Sequence, residues 1–200
     1  MRLAAQRRKP GRPAAGQSSV DRLAVLESAE RLIRRDGPTV SLEAIAAEVG
    51  ATKPIVYHHV GDKDAVARSL AWRLNERHAE AARRAVRGVR EPAQAIRAFV
   101  DAYLAQLETD RNLYLYITRA TASSGVLSIA DQPARGMAAL LAELRAGARG
   151  ERRSALVWAY GIVGMLHFVA LWWLRDADRS RAELTAQLTD LLWSGLRGER

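Results

Sequence analysis

The chain is 200 residues long and carries 31 Lys and Arg against 22 Asp and Glu, a net charge of +9 at pH 7. This surplus of positive charge favours a polyanionic partner such as nucleic acid. The sequence contains no Cys, which excludes disulfides and thiolate chemistry. Its N-terminus has positive charge without the apolar stretch of a signal peptide, so we expect a cytoplasmic protein.

Residues 1–19 are rich in Pro, Gly and Ser and are predicted to form a basic, disordered arm. Five basic residues and no acid lie in the first 20 positions, so +5 of the net +9 is concentrated there. The segment resembles a short Arg-Gly-Arg-Pro hook for the minor groove of DNA, and a solubilising tail would explain its charge equally well. The candidate DNA contacts of this arm are Arg7, Arg8, Lys9 and Arg12.

Four helices are predicted after the arm, because apolar residues recur there at helical spacing. Each boundary carries a residue that suits it: a Ser or Asp that caps the first turn, a Pro within the first turn, or a Gly after the last. The first predicted helix spans residues 20–35, and the second follows its N-cap Ser41. The third has Pro54 in its first turn and ends at Gly61. The fourth is capped by Asp62 and reaches about residue 87.

The segment from Ser41 to Lys63 has the spacing of a helix-turn-helix. Ala46 is the small residue where two steeply crossing helices approach, Gly50 supplies the turn, and Val56 returns an apolar side chain to the same core. An ordinary helix hairpin has similar spacing. The polar residues after the turn favour DNA, because they offer hydroxyls, cations and ring donors to phosphates and base edges; they are Thr52, Lys53, Tyr57, His58, His59 and Lys63.

Residues 88–92 form the best boundary between this head and a second, larger helical body. Helical spacing continues through the body, and the sequence predicts no strand. The predicted body helices lie around 96–107 and at 113–122, about 131–146, 155–174 and 181–197.

Residues 155–174 contain no formal charge when His167 is neutral, and their length is sufficient to cross a bilayer. A membrane span is therefore one interpretation of this segment. The other, which we favour, is a central helix buried by its own domain and by a partner subunit. Gly161, Gly164, Tyr160 and His167 interrupt the apolar run, and the amphipathic segment 181–197 is a suitable packing partner.

The sequence gives no sign of an enzyme, a cofactor or a metal site. The four His are scattered, with no pair at i, i+4 and no carboxylates that complete a ligand set. No phosphate-binding loop, nucleophile elbow or dinucleotide fingerprint is present. We therefore expect a protein that acts by binding.

The segment 26–70 resembles the DNA-binding head of the tetracycline-repressor (TetR) family. Val60 and Ile55 depart from the common family pattern, which has Phe and a smaller residue in these places. An apolar residue at 55 suits a thymine methyl. The residues that carry the resemblance are Asp36-Gly37, Ser41, Ile45-Ala46, Val49-Gly50 and the run Lys53-Pro54-Ile55-Val56-Tyr57-His58-His59-Val60, followed by Lys63.

The resemblance implies an all-α, homodimeric transcriptional regulator, usually a repressor. It implies about nine helices, with an N-terminal three-helix helix-turn-helix head on a larger ligand-binding and dimerisation body. The predicted divisions are the arm 1–19, the DNA-binding domain 20–65 and the body 66–200. In the head, Thr52, Lys53, Ile55 and Tyr57 would approach bases or phosphates with Pro54 in the same turn, and Ser41, His58, His59 and Lys63 would hold the DNA backbone.

The resemblance implies two further sites in the body. A small, mainly hydrophobic ligand is expected between the fifth, seventh and eighth helices, and the last two helices are expected to pair with a second subunit. The candidate ligand contacts are Phe99, Tyr103, Leu107, Tyr116, Leu140, Trp158, Ile162, Met165 and His167, and the candidate interface residues are Leu184, Leu188, Leu191, Leu192 and Trp172.

Two other functions remain open at this point. One is a membrane-anchored DNA-binding regulator that spans the bilayer at 155–174. The other is a sequence-tolerant architectural DNA-binding protein, for which the basic arm is the argument and the long apolar body the counter-argument.

Overall fold

A computed structural model describes residues 21–121, 126–144, 151–176 and 178–197. The described residues form nine helices and no strand, which confirms the all-α prediction. The helices are α1 (Arg22–Asp36), α2 (Leu42–Glu48), α3 (Lys53–Val60), α4 (Lys63–Val86), α5 (Pro92–Thr109), α6 (Arg111–Ala120), α7 (Val126–Leu144), α8 (Glu151–Asp176) and α9 (Arg181–Arg197).

The head comprises α1 to α3. Side chains cap the starts of α1, α2 and α4, whereas Thr52, the N-cap of α3, makes no such hydrogen bond. The Ser41 hydroxyl accepts a hydrogen bond from the backbone N–H of Ala44 at 3.2 Å, and the Asp62 carboxylate accepts one from Ala65 at 2.7 Å. Asp21 caps α1 in the same way. These bonds satisfy N–H groups that a helix start leaves free, so the predicted caps at Ser41 and Asp62 are confirmed.

Two glycines make the tight connections on either side of α3. Gly50 has a φ of 67° between α2 and α3, and Gly61 has a φ of 79° between α3 and α4. At Gly61 an added Cβ would lie only 2.9 Å from the Cβ of Ala65. Since both positions need a left-handed backbone, a larger residue there would change the angle at which α3 is held.

One apolar cluster runs from the head into the body, which comprises α5 to α9. It extends from Val25 in α1 to Leu192 in α9, and α4 contributes Val66, Leu70 and Leu74 to it. With 24 residues, α4 is about 36 Å long and contacts α1, α5, α6 and α7. It therefore belongs to both parts and crosses the predicted division at residue 65.

The seventh helix begins earlier than predicted. It starts at Val126 and holds Pro133 in its interior, whereas the sequence predicted a start near residue 131. A proline two turns into a helix leaves one backbone hydrogen bond unmade. Packing along α8, the most extensive helix contact described, supports the helix there instead.

The long apolar helix α8 has two different faces. Its segment Ala155–Arg175 has a mean hydropathy of 1.8 and is long and apolar enough to cross a membrane. One face packs into the core through Ala159, Leu166 and Trp173. The other leaves Val157 and Phe168 exposed at 74% and 61%. The helix is thus half-covered by its own chain, and its other face has no cover within the described chain.

Candidate nucleic-acid interface and ligand cavity

The third helix holds its polar residues on the surface. Of its eight residues, only Val56 and Val60 are buried, and they fix α3 to the head core. Ile55 and Tyr57 are 44% and 56% exposed. The structure therefore brings the predicted DNA contacts of α3 together on one exposed surface; they are Lys53, Pro54, Ile55, Tyr57 and His58, with Thr52 at the N-cap and His59 half-buried.

An ion pair joins the first turns of α2 and α3. The ammonium of Lys53 donates to the Glu43 carboxylate, and both side chains are more than half exposed. This hydrogen bond is the main reason that the pKa of Glu43 lies below its usual value. The sequence interpretation named Lys53 and missed its partner. A phosphate or a base that approached Lys53 would have to share its ammonium with Glu43 or displace Glu43.

Arg22 positions the C-terminal end of α3. Its guanidinium donates to the backbone carbonyl of His59 at 3.2 Å and to the hydroxyl of Ser69 at 2.7 Å. One side chain of α1 thereby holds both α3 and α4. No sequence motif marks it, because the three residues lie far apart along the chain.

Lys63 is half-buried and faces the body. Its Nζ lies 5.2 Å from the centroid of the Tyr116 ring in α6, a cation–π contact. Such a contact is worth about 0.5–1 kcal/mol at an exposed site. To reach a phosphate, as the family resemblance implies, Lys63 has to leave this ring.

A buried cluster of charges connects the head to the body. Two almost fully buried carboxylates lie at its centre, Glu30 of α1 and Asp110 at the junction of α5 and α6. Arg34 of α1 lies 2.7 Å from a carboxylate oxygen of each. Arg77 of α4 lies 2.8 Å from Glu30 and 3.7 Å from Asp110, and Arg73 lies 3.4 Å from Glu30. We call these five residues the junction cluster.

The body encloses a cavity of about 480 Å³ between α4, α5, α6, α7 and α8. This volume suits a drug-sized molecule. Most of its wall is apolar, with polar groups at a few points. The lining residues are Asn75, Glu76, His78, Ala79, Ala82, Arg83, Phe99, Tyr103, Tyr114, Ala130, Gln132, Pro133, Gly136, Met137, Ala139, Val163, Leu166 and His167.

The structure places the predicted ligand contacts in several regions. Phe99, Tyr103 and His167 line the cavity. Leu107 and Tyr116 are fully buried in the apolar core and do not line it, and the side chain of Leu140 lies outside the described residues. The other candidates line a separate groove of about 360 Å³ between α8 and α9; they are Trp158, Ile162 and Met165.

The wall that α4 supplies was missed. Asn75, Ala79 and Ala82 follow one another at helical spacing, on a face other than that of the apolar Val66, Leu70 and Leu74. Small and polar residues at such spacing are typical of a solvated face, so their pattern does not predict a cavity wall.

A chain of aromatic contacts crosses the body beside the cavity. His78 of α4 packs edge-on against Tyr103 of α5, with ring centroids 5.6 Å apart. Tyr103 is hydrogen-bonded to Tyr114 of α6, whose hydroxyl is hydrogen-bonded to Nδ1 of His167 in α8. Within the described ranges, no group of three or more His, Asp and Glu side chains is placed to hold a metal ion.

Burial disfavours the charged form of all four of these side chains. It lowers the pKa of His78 to about 4 and also lowers the pKa of His167. It raises the pKa of Tyr103 to about 12 and that of Tyr114 well above its usual value. The part of the cavity wall that these four rings form is therefore polar but carries no charge.

Stability should consequently fall as the pH drops from about 6.5 to 4. In this pH window the His78 side chain binds a proton in the unfolded chain. It does not do so in the native chain, because burial lowers the pKa of its imidazole to about 4. Arg77 adds to this depression and Asp110 opposes it. We expect His78→Phe to flatten the dependence of the melting temperature on pH. Equal slopes for wild type and His78→Phe would refute this assignment.

The predicted interface residues divide into two groups. Leu184, Leu188 and Leu192 are at most 8% exposed, because this stripe of α9 packs into the core of its own chain. The prediction that they meet a partner subunit is therefore corrected. Leu191 and Trp172 are exposed at 59% and 45%, so these remain accessible to a second chain.

Comparison with known proteins decides the family. Residues 25–70 match the family of bacterial regulatory proteins described as the tetR family, and residues 79–199 match the tetracyclin repressor-like C-terminal domain. The chain belongs to the TetR family. TetR-family proteins are transcription regulators that bind DNA through a helix-turn-helix, which α2 and α3 form here. The family gives no support to a membrane-spanning or an enzymatic role.

Individual relatives of this TetR-family chain agree with this assignment. It is 29% identical over 174 residues to an uncharacterized HTH-type transcriptional regulator of Mycobacterium tuberculosis, covering 83% of this chain and 73% of that one. Its fold is similar to a TetR-family regulator from Pectobacterium atrosepticum, with a TM-score of 0.68, 20% identity and coverage of 88% and 92%. A fatty acid degradation regulator from Bacillus halodurans has a TM-score of 0.65 at 21% identity, with coverage of 88% and 95%.

Proposed function

We propose that this chain is a cytoplasmic repressor that binds a palindromic operator as a homodimer and leaves it when a small, mainly apolar ligand fills the body cavity. The observation that carries the proposal is the course of α4. Its first residue follows the two-residue connection after α3, and its later turns form a wall of the cavity. A ligand that moves α4 therefore changes the orientation of α3.

The DNA contacts are proposed from exposure and chemistry. Exposed hydroxyl, cationic and aromatic groups of α3 suit the major groove, and Ser41 at the start of α2 suits a phosphate. The four basic residues of the arm lie outside the described residues, and their role stays a prediction. The proposed set is Thr52, Lys53, Pro54, Ile55 and Tyr57 for bases or phosphates, Ser41, His58, His59 and Lys63 for the backbone, and Arg7, Arg8, Lys9 and Arg12 for the minor groove.

The homodimer is proposed from the uncovered face of the last two helices. Val157, Phe168 and Trp172 of α8 and Leu191 of α9 are large apolar side chains in contact with water in the single chain. Exposed apolar groups of this number on adjacent helices are typical of a protein–protein interface. A second copy related by twofold symmetry would cover them and present two α3 helices to successive turns of DNA.

DNA binding is tested with fluorescently labelled duplexes from the intergenic region next to the gene. The full chain is expected to prefer an inverted repeat to random duplex, and its affinity should fall steeply with salt. Lys53→Ala should lower operator affinity by about tenfold and relax preference at particular base pairs. Lys63→Ala should weaken binding to all sequences and reduce the salt slope by about one.

The matched control is Arg84→Ala, which removes an exposed cation paired with Glu80 near the far end of α4. It is expected to leave affinity and salt slope unchanged. Equal affinity of the wild-type chain for operator and random duplex at physiological salt would contradict the repressor proposal.

A further inference from the structure

Two histidine side chains in the cavity wall have a buried nitrogen without a hydrogen-bond partner in the described chain. They are Nε2 of His78 and Nε2 of His167. His167 is only 7% exposed, and its other nitrogen is already hydrogen-bonded to Tyr114. A buried polar atom without a partner is costly, so a ligand group that reached either nitrogen would gain a hydrogen bond there.

The hydrogen bonds behind His167 allow it either to donate or to accept. If Tyr103 donates to Tyr114 and Tyr114 donates to Nδ1, then Nε2 carries a proton and is a donor. If instead Nδ1 carries the proton and donates to Tyr114, and Tyr114 donates to Tyr103, then Nε2 is an acceptor. A hydroxyl group matches both arrangements because it donates and accepts, whereas a carbonyl group matches only the first.

The charged residues of the wall lie away from this inner end. Glu76 and Arg83 are both exposed, and Glu76 accepts a hydrogen bond of 2.9 Å from Gln132 of α7. The inner wall instead consists of neutral imidazole and phenol rings together with apolar groups such as Phe99 and Met137. An ionised group placed beside His167 would be buried without an opposite charge, because burial is the one cause that shifts the pKa of that imidazole, and such burial is strongly unfavourable.

We propose that the cavity binds an uncharged alcohol or phenol with an apolar body, whose hydroxyl group is hydrogen-bonded by His167, with His78 as a second neutral polar group of the wall. This proposal rests on the proposed function of the cavity as the ligand site and adds the chemical class of its ligand. Tyr103 and Tyr114 are positioning residues that set which proton His167 carries.

The test uses three probes that share one apolar body and differ in the polar group: naphthalene, 2-naphthol and 2-naphthoate. Each is titrated into the full chain at pH 7.5, without DNA, by isothermal calorimetry. We expect 2-naphthol to bind about threefold to tenfold more tightly than naphthalene, the gain of one or two neutral hydrogen bonds. We expect 2-naphthoate to bind most weakly.

Substitutions test whether the histidines cause the tighter binding of 2-naphthol relative to naphthalene. His167→Phe should remove most of the preference for 2-naphthol and leave the affinity for naphthalene within about twofold, because the ring volume is kept. His78→Phe should reduce the same preference partly, and it serves as the test should His167→Phe fail to fold. Tyr116→Phe is the matched control: it also removes a buried hydroxyl without a partner, but outside the cavity wall, and should keep the full preference.

Three results would overturn the proposal: no binding of any probe, tightest binding of 2-naphthoate, or an unchanged preference in folded His167→Phe and His78→Phe. Release of operator DNA by 2-naphthol, measured separately, distinguishes failure of the ligand proposal from failure of the repressor proposal. If 2-naphthol binds with the expected histidine dependence but does not release operator DNA, the ligand class stands and ligand-controlled release is wrong.

Discussion

Leu188→Arg is expected to unfold the helical body, whereas Leu191→Arg should leave the chain folded and dissociate the proposed dimer. The two leucines lie three residues apart on α9, yet Leu188 is 3% exposed and Leu191 is 59% exposed. An unpaired guanidinium at Leu188 would enter the core of its own chain at a cost of about 4–5 kcal/mol. At Leu191 it would meet water in the single chain and an apolar surface only in the dimer.

Thermal unfolding and sedimentation velocity separate these effects. Leu188→Arg should lose its cooperative transition, and Leu191→Arg should keep a transition while its sedimentation coefficient falls to that of a single chain. Asp190→Ala, at an exposed polar position of the same helix, is the control and should change neither measurement. A folded Leu191→Arg that sediments as wild type would place the interface on another surface.

Glu30→Ala is expected to lower the free energy of unfolding by about 2–4 kcal/mol. The substitution leaves Arg34, Arg73 and Arg77 with Asp110 as their one carboxylate in the junction cluster. We place the loss at the lower part of the range for a broken buried pair, because the three arginines are 27–39% exposed and keep some hydration.

Urea titration measures this loss, and Glu80→Ala provides the comparison. Glu80 also pairs with an arginine at 2.7 Å, but both side chains are about 60% exposed. Its removal should cost less than about 0.5 kcal/mol. If the two substitutions cost the same, the junction cluster does not stabilise the chain.

The head could be predicted closely because its signals are local. The caps at Ser41 and Asp62 and the turn at Gly50 each involve residues within four positions of one another, so their spacing in the sequence is their spacing in space. The bounds of α9 agree with the prediction for a similar reason, since its apolar spacing is regular along the whole helix.

The body sites could not be predicted in the same way because their partners are distant along the chain. An apolar stripe shows that a residue is buried, but not whether its own chain or a second chain covers it. Leu188 and Leu191 differ in this respect, and Trp158 belongs to a groove beside α9 rather than to the cavity. The pairing of Glu30 with residues of α4 depends on tertiary packing that leaves no local pattern.

Only two of the eight residues of α3 are buried in the core, which affects how the DNA preference of such a regulator can change. Val56 and Val60 are the two residues that anchor this helix, and the remaining six contribute little to the folding free energy. If these exposed residues read DNA as proposed, substitutions among the six would alter which base pairs are read while the fold is retained. Stability and DNA sequence preference would then depend on different residues of one short helix.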